Sequence, residues 1–427
     1  MQKRTWVLPA ILLFAAAVCA QGAGKGTISL TDEPIGYAGL GKYATSKGKT
    51  VSTKQELVNA VKSGGVIIIN GMIDMSEGML VAEGGKSTDS TPELDAFVKK
   101  QTSGKYETYE AWITAYSEAC KLSTDDDKPG SGNSKLQGTM KTLNTAYGKN
   151  IRLDLQSNTT LIGATPGSGI RGGSIQIRGK SNIQIRNLTI QDPFDPFPQH
   201  EANSKGDTDG YNAQWDGINI QDTCKNIWVD HVTIEDTITL GYVKTAGKTT
   251  EKWQTYDGVC DLKNDTTNVT ISNCLFRNHD KTMVMGNNDK DGNKSKRFVT
   301  LAGNYFLNCG QRPLVRNTTL HILNNYFDAD KNAPYKQQYA VSCRKDCAIY
   351  SEGNYFGPGI QYSFKDNDGK LYIAGDIDKS AKKNTTKVAG KTLFKDAVNA
   401  YTYTAVSAEE AKTNAEKNAG AGYTLSL

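Results

Sequence analysis

Six side chains in the middle of this chain are of the kinds that hold a hard cation or manage negative charge. They are Asp216 in "WDG", Asp257 and Asp261 in "YDGVCDLKN", Lys281 in "NHDK", and Arg312 and Arg316 in "NCGQRPLVRN". Carboxylates offered from separate segments are the donor set of calcium, which takes about six to eight oxygen ligands in flexible geometry. The lysine and the two arginines are fixed positive charges suited to a carboxylated ligand. No histidine or carboxylate lies among the residues of the arginine stretch. A guanidinium keeps its proton to above roughly pH 12, so it can act as a base only in alkaline medium or where neighbouring cations disfavour the charged form. Any one of these residues alone would be an ordinary turn aspartate or a solvated cation; the inference rests on the set.

Segments far apart in sequence can share a site only if the fold stacks them. Short strands of alternating apolar and polar residues recur: "NIQIRNLTI" from 182, "NIWVDHVTI" from 226, "NVTISNCLF" from 268, "FVTLAGNYF" from 298, "TLHILNNYF" from 319 and "AIYSEGNYF" from 348. Each carries an Asn or an Asp-His pair at its bend, and "NYF" begins at Asn304, Asn325 and Asn354. Repeats spaced some 20 to 45 residues apart, with no helical period between them, predict stacked coils. The fold class expected is all-β, a right-handed single-stranded parallel β-helix whose Ile, Val, Leu and Phe ladders make one continuous core. Asparagine suits the bends because it tolerates the left-handed region and its amide can bond along a stack. A β-sandwich would call for tight Asn-Gly hairpins at short regular intervals, and few occur.

Two segments break the repeat. Residues 88–150 are polar, with helical spacing in "TPELDAFVKKQ" and "YEAWITAYSEACKL" and a loop-like "STDDDKPGSGNSK", which reads as an insertion lying on the solenoid. Residues 360–427 are rich in Lys, Thr, Ala and Asn, and their helix-like "SAEEAKTNAEKNA" is expected to cover the open end of the coil stack. "VSTKQELVNAVKSG" from residue 51 has the pattern of a capping box and is expected to close the other end.

The stretch "WDGINIQDTCKNIWVDHVTIEDT", with "NHDKTMVMGNND" and "QRPLVR", resembles the pectate lyases of polysaccharide lyase family one, over roughly residues 34–357 without the insertion. The resemblance implies calcium-dependent β-elimination of polygalacturonate. It implies Asp216, Asp257 and Asp261 as calcium ligands, Lys281 and Arg316 as substrate-carboxylate residues, and Arg312 as the base. Asp230, His231 and His279 are read as structural. The chain departs from the family in two places. Gln214 stands where some relatives carry a further acidic residue, and the arginine motif is one residue short. Aligned from upstream, Arg312 takes the catalytic position; aligned from the proline, Gln311 does.

Residues 1–20, "MQKRTWVLPAILLFAAAVCA", have the basic start, apolar run and small-residue ending of a secretory signal, too short to span a bilayer. The expected mature chain, 21–427, is a single secreted β-helix domain, extracellular or periplasmic, monomeric, with no membrane or nucleic-acid partner. Loss of Lys3 and Arg4 from the 50 basic residues leaves a net charge near +3 against 45 acidic ones, a slight lean toward anionic partners. Cys19 would leave with the signal, and the seven remaining cysteines of the 8 cannot all pair. Cys343 and Cys347 in "CRKDC" are a candidate disulfide. A polygalacturonase-like hydrolase is disfavoured because no Gly-His-Gly occurs. A methylesterase lacks its motif, and a calcium-free pectin lyase would have lost the aspartates. The remaining alternative is a catalytically impaired β-helical protein that binds pectin or mediates adhesion.

Overall fold

A computed structural model describes residues 24–120, 134–202, 208–245, 249–293, 296–311, 313–390 and 401–426. The signal-like residues 1–20, the loop-like 121–133 and Arg312 lie outside the described residues.

The strands stack into three parallel sheets of ten, nine and eight members among the described residues. Successive coils pair in register, so alternation along each strand becomes a ladder through the stack. Ile183, Ile227, Val269, Val299, Leu320, Ile349 and Leu371 are consecutive partners in the ten-stranded sheet, all without exposed surface. In the nine-stranded sheet Phe276, Phe306, Phe327 and Phe356 stack with ring centroids 4.8, 4.6 and 5.1 Å apart. Each such side chain stabilises the fold by roughly 1.5–3 kcal/mol through burial. The core is therefore an apolar column, and the chain forms the expected parallel β-helix.

At three of the bends the expected residue is itself left-handed, Asn187 (φ 50°), His231 (φ 50°) and Asn273 (φ 51°), but the "NYF" bends are built differently. Asn304, Asn325 and Asn354 do form a buried amide ladder, Asn304 Nδ2 donating to Asn325 Oδ1 at 2.8 Å and Asn325 Nδ2 to Asn354 Oδ1 at 2.9 Å. The left-handed residue is the one before each: Gly303 (φ 65°), Asn324 (φ 54°) and Gly353 (φ 60°). Division of labour explains this: the left-handed turn is made by a glycine or an asparagine, and the next residue is left to point its amide along the stack.

Helix α1 (Lys54–Val61) starts at Thr53, whose hydroxyl and the Glu56 carboxylate form a reciprocal capping box, and buries Leu57 and Val61 at the N-terminal end of the core. Between strands Met72–Asp74 and Arg152–Asp154 the chain makes α2 (Pro92–Gln101), α3 (Tyr109–Ala119) and α4 (Ser134–Ile151). Their apolar faces share an aromatic cluster, including Trp112, Tyr116 and Tyr147, with Phe197, Tyr211 and Trp253 from long loops of the β-helix. Within the C-terminal segment, residues 381–389 bond to the last coil at the open end of the stack, through pairs such as Lys382–Tyr362 and Val388–Leu371, and the closing helix and strand lie along the flank. Helix Ala408–Asn418 packs beside strands Tyr326–Asp328 and Tyr355–Phe356, and strand Thr424–Ser426 then pairs in parallel with Thr27–Ser29. Cys343 and Cys347 are disulfide-bonded, and Cys120, Cys224, Cys260, Cys274 and Cys309 are buried.

Candidate active site

The eight-stranded sheet and the loops entering it gather the charged residues. Its strands Ile218–Gln221, Cys260–Leu262, Val284–Met285 and Leu314–Arg316 are consecutive neighbours. Apolar residues of these strands, Ile220, Leu262, Met285 and Val315, are partners facing the core. Period-two alternation then turns Asp261 and Arg316 outward.

Asp216, just before its strand, and Asp261 on the next coil are both buried. Asp216 Oδ1 accepts from the Gly258 amide at 3.1 Å, and Asp261 Oδ1 from the Val284 amide at 2.9 Å. Their other oxygens meet one cation: Lys263 Nζ lies 2.8 Å from Asp216 Oδ2 and 3.1 Å from Asp261 Oδ2. Burial, followed by repulsion from Asp261, pushes the Asp216 carboxyl well above its ordinary range despite Lys263. Burial raises Asp261 as well, with Lys263 opposing. Burial alone would lower the Lys263 ammonium, yet Asp261, Asp216 and Asp257 together hold it above its usual value. Two desolvated carboxylates thus share a single positive charge.

Asp257 stands at the rim, its Oδ1 3.5 Å from Lys281 Nζ, and its charge adds to the repulsion felt by Asp216 and Asp261. Lys281 is a third exposed and also donates to Asn212 Oδ1 on the hairpin formed by Gln199–Ala202 and Thr208–Asn212. Arg316 donates to the Gly286 carbonyl at 2.8 Å and to Asp289 Oδ1 at 2.9 Å, so one face of its guanidinium is occupied by protein. Of the residues named from sequence, Asp216 and Asp261 are brought together around Lys263, while Asp257 and Lys281 form a neighbouring pair. No cluster of three or more His, Cys, Asp or Glu side chains at metal-binding spacing occurs among the described residues. Oxygen donors, mutual repulsion and a cation already seated between two of them nevertheless fit a hard divalent ion in kind.

Two residues that sequence reasoning passed over, and one that it read as structural, support this arrangement. Lys263 sits two residues after Asp261, one past the end of the strand, and its pairing with Asp216 on the preceding coil has no local signature. Asp195 in "PFDPFP" is buried, accepts from the Phe197 and Gln214 amides at 2.9 Å each and from Asn144 of α4 at 2.7 Å, and is pushed up to about 7, chiefly by burial. It ties the inserted helix to the loop that leads into Asp216. His279 is the third; read as a local hydrogen-bonding residue, it reaches two coils. Its Nδ1 contacts Asp236 at 2.8 Å and its Nε2 the Asp257 carbonyl at 2.7 Å, which fixes the backbone of the rim aspartate. Asp230 and His231 lie elsewhere, in the ten-stranded sheet, where Asp230 binds Arg186, Ser272 and Asn273. That is the structural role expected of them.

A cleft of about 570 Å³ opens beside Lys281, walled by Glu201, Tyr211, Asn212, Glu251, Lys252 and Asp280. The profile of the pectate lyase family matches residues 132–424, across this whole sheet. The chain belongs to the pectate lyase family. Among relatives, pectate lyase A of Dickeya chrysanthemi is 39% identical over 215 residues, covering 48% of this chain and 52% of its own. The pectate lyase of Bacillus subtilis strain 168 is 29% identical over 340 residues, 76% and 74% of the two chains. The chain spans about half the length of the Dickeya relatives it matches. In fold it resembles the pectate lyase of Acidovorax avenae subsp. citrulli, with a TM-score of 0.74 at 22% identity over 93% and 96% of the chains. A pectate lyase bound to a hexasaccharide gives 0.69 at 22% identity over 95% and 99%.

Proposed function

We propose that this family member is a secreted, calcium-dependent pectate lyase acting on α-1,4-linked polygalacturonate, including low-ester pectin. The product would be 4,5-unsaturated oligogalacturonides. The observation that carries the reading is the placing, on neighbouring coils, of the Asp216–Lys263–Asp261 group and the Asp257–Lys281 pair, with Lys281 lining an open cleft. It supplies fixed positive charge for a polyanion beside the oxygen donors of a hard cation.

In the elimination, a base removes the proton from C5, the C4–O bond breaks, a C4–C5 double bond forms, and the departing oxygen takes a proton from solvent. Arg312, assigned by the "NCGQR" motif, is the base. Lys281 holds the uronate carboxylate, and Arg316, through its unoccupied face, orients a carboxylate or its acidic neighbours. Asp216, Asp257 and Asp261 would hold calcium, which when bound supplies the charge that makes the C5 proton more acidic. His279 and Asp195 keep the ligand-bearing loops in place. Export rests on the signal pattern of residues 1–20; among the described residues no helix is long and apolar enough to cross a membrane. The enzyme is expected to work as a monomer.

A second reading has one observation in its favour: Gln311, not a cation, pairs in register with Lys281 on one side and Tyr339 on the other. If Gln311 fills the position of the base, the protein binds pectate without cleaving it. Ultraviolet absorbance from the new double bond decides between them. Absorbance that grows on polygalacturonate and stops with a chelator supports the lyase; binding without absorbance supports the second reading.

A further inference from the structure

Helix α4 reaches the segments that deliver Asp216 and Asp257 from two of its residues, one turn apart. Asn144 is buried, and its Nδ2 donates to Asp195 Oδ2 at 2.7 Å. The same oxygen accepts from the Gln214 amide at 2.9 Å, two residues before Asp216. The Asp195 amide donates in turn to the Thr255 carbonyl at 2.7 Å, two residues before Asp257. One aspartate therefore ties both ligand-bearing segments together, and α4 supplies one of the donors that hold its carboxylate.

Gly148 lies four residues on, on the same face of the helix. A Cβ added there would run into Cζ2, Cη2 and Cε2 of the Trp215 indole. Trp215 immediately precedes Asp216, and its ring is already held on other sides: it packs against the aromatic cluster shared with α2 and α3, and the Arg152 guanidinium lies 6.0 Å from its centroid. Glycine within a helix is disfavoured relative to alanine. What the missing side chain permits at this position is the close seat of the indole.

Resting on the calcium reading of the site, we propose that α4 is a positioning element for the ion. Gly148 acts through Trp215, and Asn144 through Asp195, to fix where Asp216 and Asp257 present their oxygens, and the helix thereby sets the affinity for calcium. Ion sites are sensitive to such support: displacing the groups that orient a ligand commonly costs about 10- to 100-fold in affinity.

The test rests on two substitutions in this one helix. Gly138→Ala adds a methyl group where no described residue comes within 4 Å, whereas Gly148→Ala adds it against Trp215. Both changes favour the helix, so the indole is what separates them. Asn144→Ala removes the donor to Asp195. Tryptophan-sensitised terbium(III) luminescence of the whole protein, with calcium as the displacing ion, reads affinity without turnover. The Kd for calcium is expected to rise about tenfold or more in Gly148→Ala and in Asn144→Ala, and to stay at the parent value in Gly138→Ala. Circular dichroism at the assay temperature checks that each variant is folded; should Gly148→Ala fail to fold, Asn144→Ala carries the test. In turnover, a displaced ligand raises the calcium needed for half-maximal rate and leaves kcat at saturating calcium near the parent's, whereas a protein that is merely less stable keeps the parent's calcium requirement. Affinities in Gly148→Ala and Asn144→Ala equal to the parent's overturn the inference, and so does a loss shared by Gly138→Ala. A parent that binds neither ion sinks the calcium reading itself; a parent that binds, with variants that bind as tightly, sinks only the role of α4.

Discussion

Lys263 carries a burden that its sequence neighbourhood conceals, because one ammonium neutralises two desolvated aspartates from different coils. Removing it leaves buried charge uncompensated, a change that costs roughly 3–5 kcal/mol when the remaining partner stays ionised. Lys263→Met is expected to melt earlier without calcium and to gain more from added calcium than the parent. A calcium response no larger than the parent's, in thermal melts, would mean that the aspartates bind no ion. At the arginine motif, Arg312→Lys is expected to lower kcat by about 10²–10⁴-fold with little change in KM, and Gln311→Ala to be mild. The reverse pattern would move the base. With arginine as base the rate should be greatest in alkaline medium, and an optimum near pH 5 would point to carboxylate catalysis instead. Asp195 makes a second pH prediction. Its folded pKa of about 7 stands above that of an unfolded aspartate, so its share of stability is complete below about pH 4 and is lost as pH rises to about 7. Asp195→Asn cannot ionise. It should be less stable than the parent near pH 4 and close that gap by a few kcal/mol toward pH 8 in denaturant melts; a constant gap would show the carboxyl ionised throughout.

Among the elements, the asparagine ladder is where the repeat is most exposed to single changes. Asn325 donates to the Leu301 and Leu323 carbonyls and to Asn354, and accepts from the backbone and amide of Asn304. Asn325→Ala orphans several buried groups at once and should destabilise by about 2–4 kcal/mol, whereas Asn324→Gly, one residue earlier at φ 54°, keeps the left-handed turn and forfeits partly buried bonds to the Gly353 and Val406 backbone, a smaller loss of about 1 kcal/mol. Similar losses at the two sites in urea denaturation would contradict the ladder. This contrast also shows what could be read in advance. The coil strands, the capping box and the stacked asparagines were legible because each is a local pattern of residue type. The side-chain pairings of the site were not, since Lys263 meets Asp216 and His279 meets Asp236 across coils whose separation only the fold sets. The flank position of the C-terminal helix was equally hidden. Its small buried face of Ala408, Ala411 and Ala415 says that it packs closely but does not say against what.

For the whole molecule, the division between an apolar column and a charged outer face separates what holds the fold from what does chemistry. Chelation is therefore expected to abolish turnover while leaving the far-ultraviolet dichroism and its melting cooperativity in place. Loss of both together would make the ion structural. One contact obeys a different logic from all the others. Nearly every strand pairs with a neighbour one coil away, but Thr27–Ser29 pairs with Thr424–Ser426. During synthesis, which proceeds at some 5–20 residues per second, the coils can zip up in order behind the emerging chain. That first strand must wait for almost the entire polypeptide before its partner exists. Closure is thus a late event in the life of each molecule, and a ribosome-stalled or nicked chain would display a stacked body with its opening strand still unclaimed.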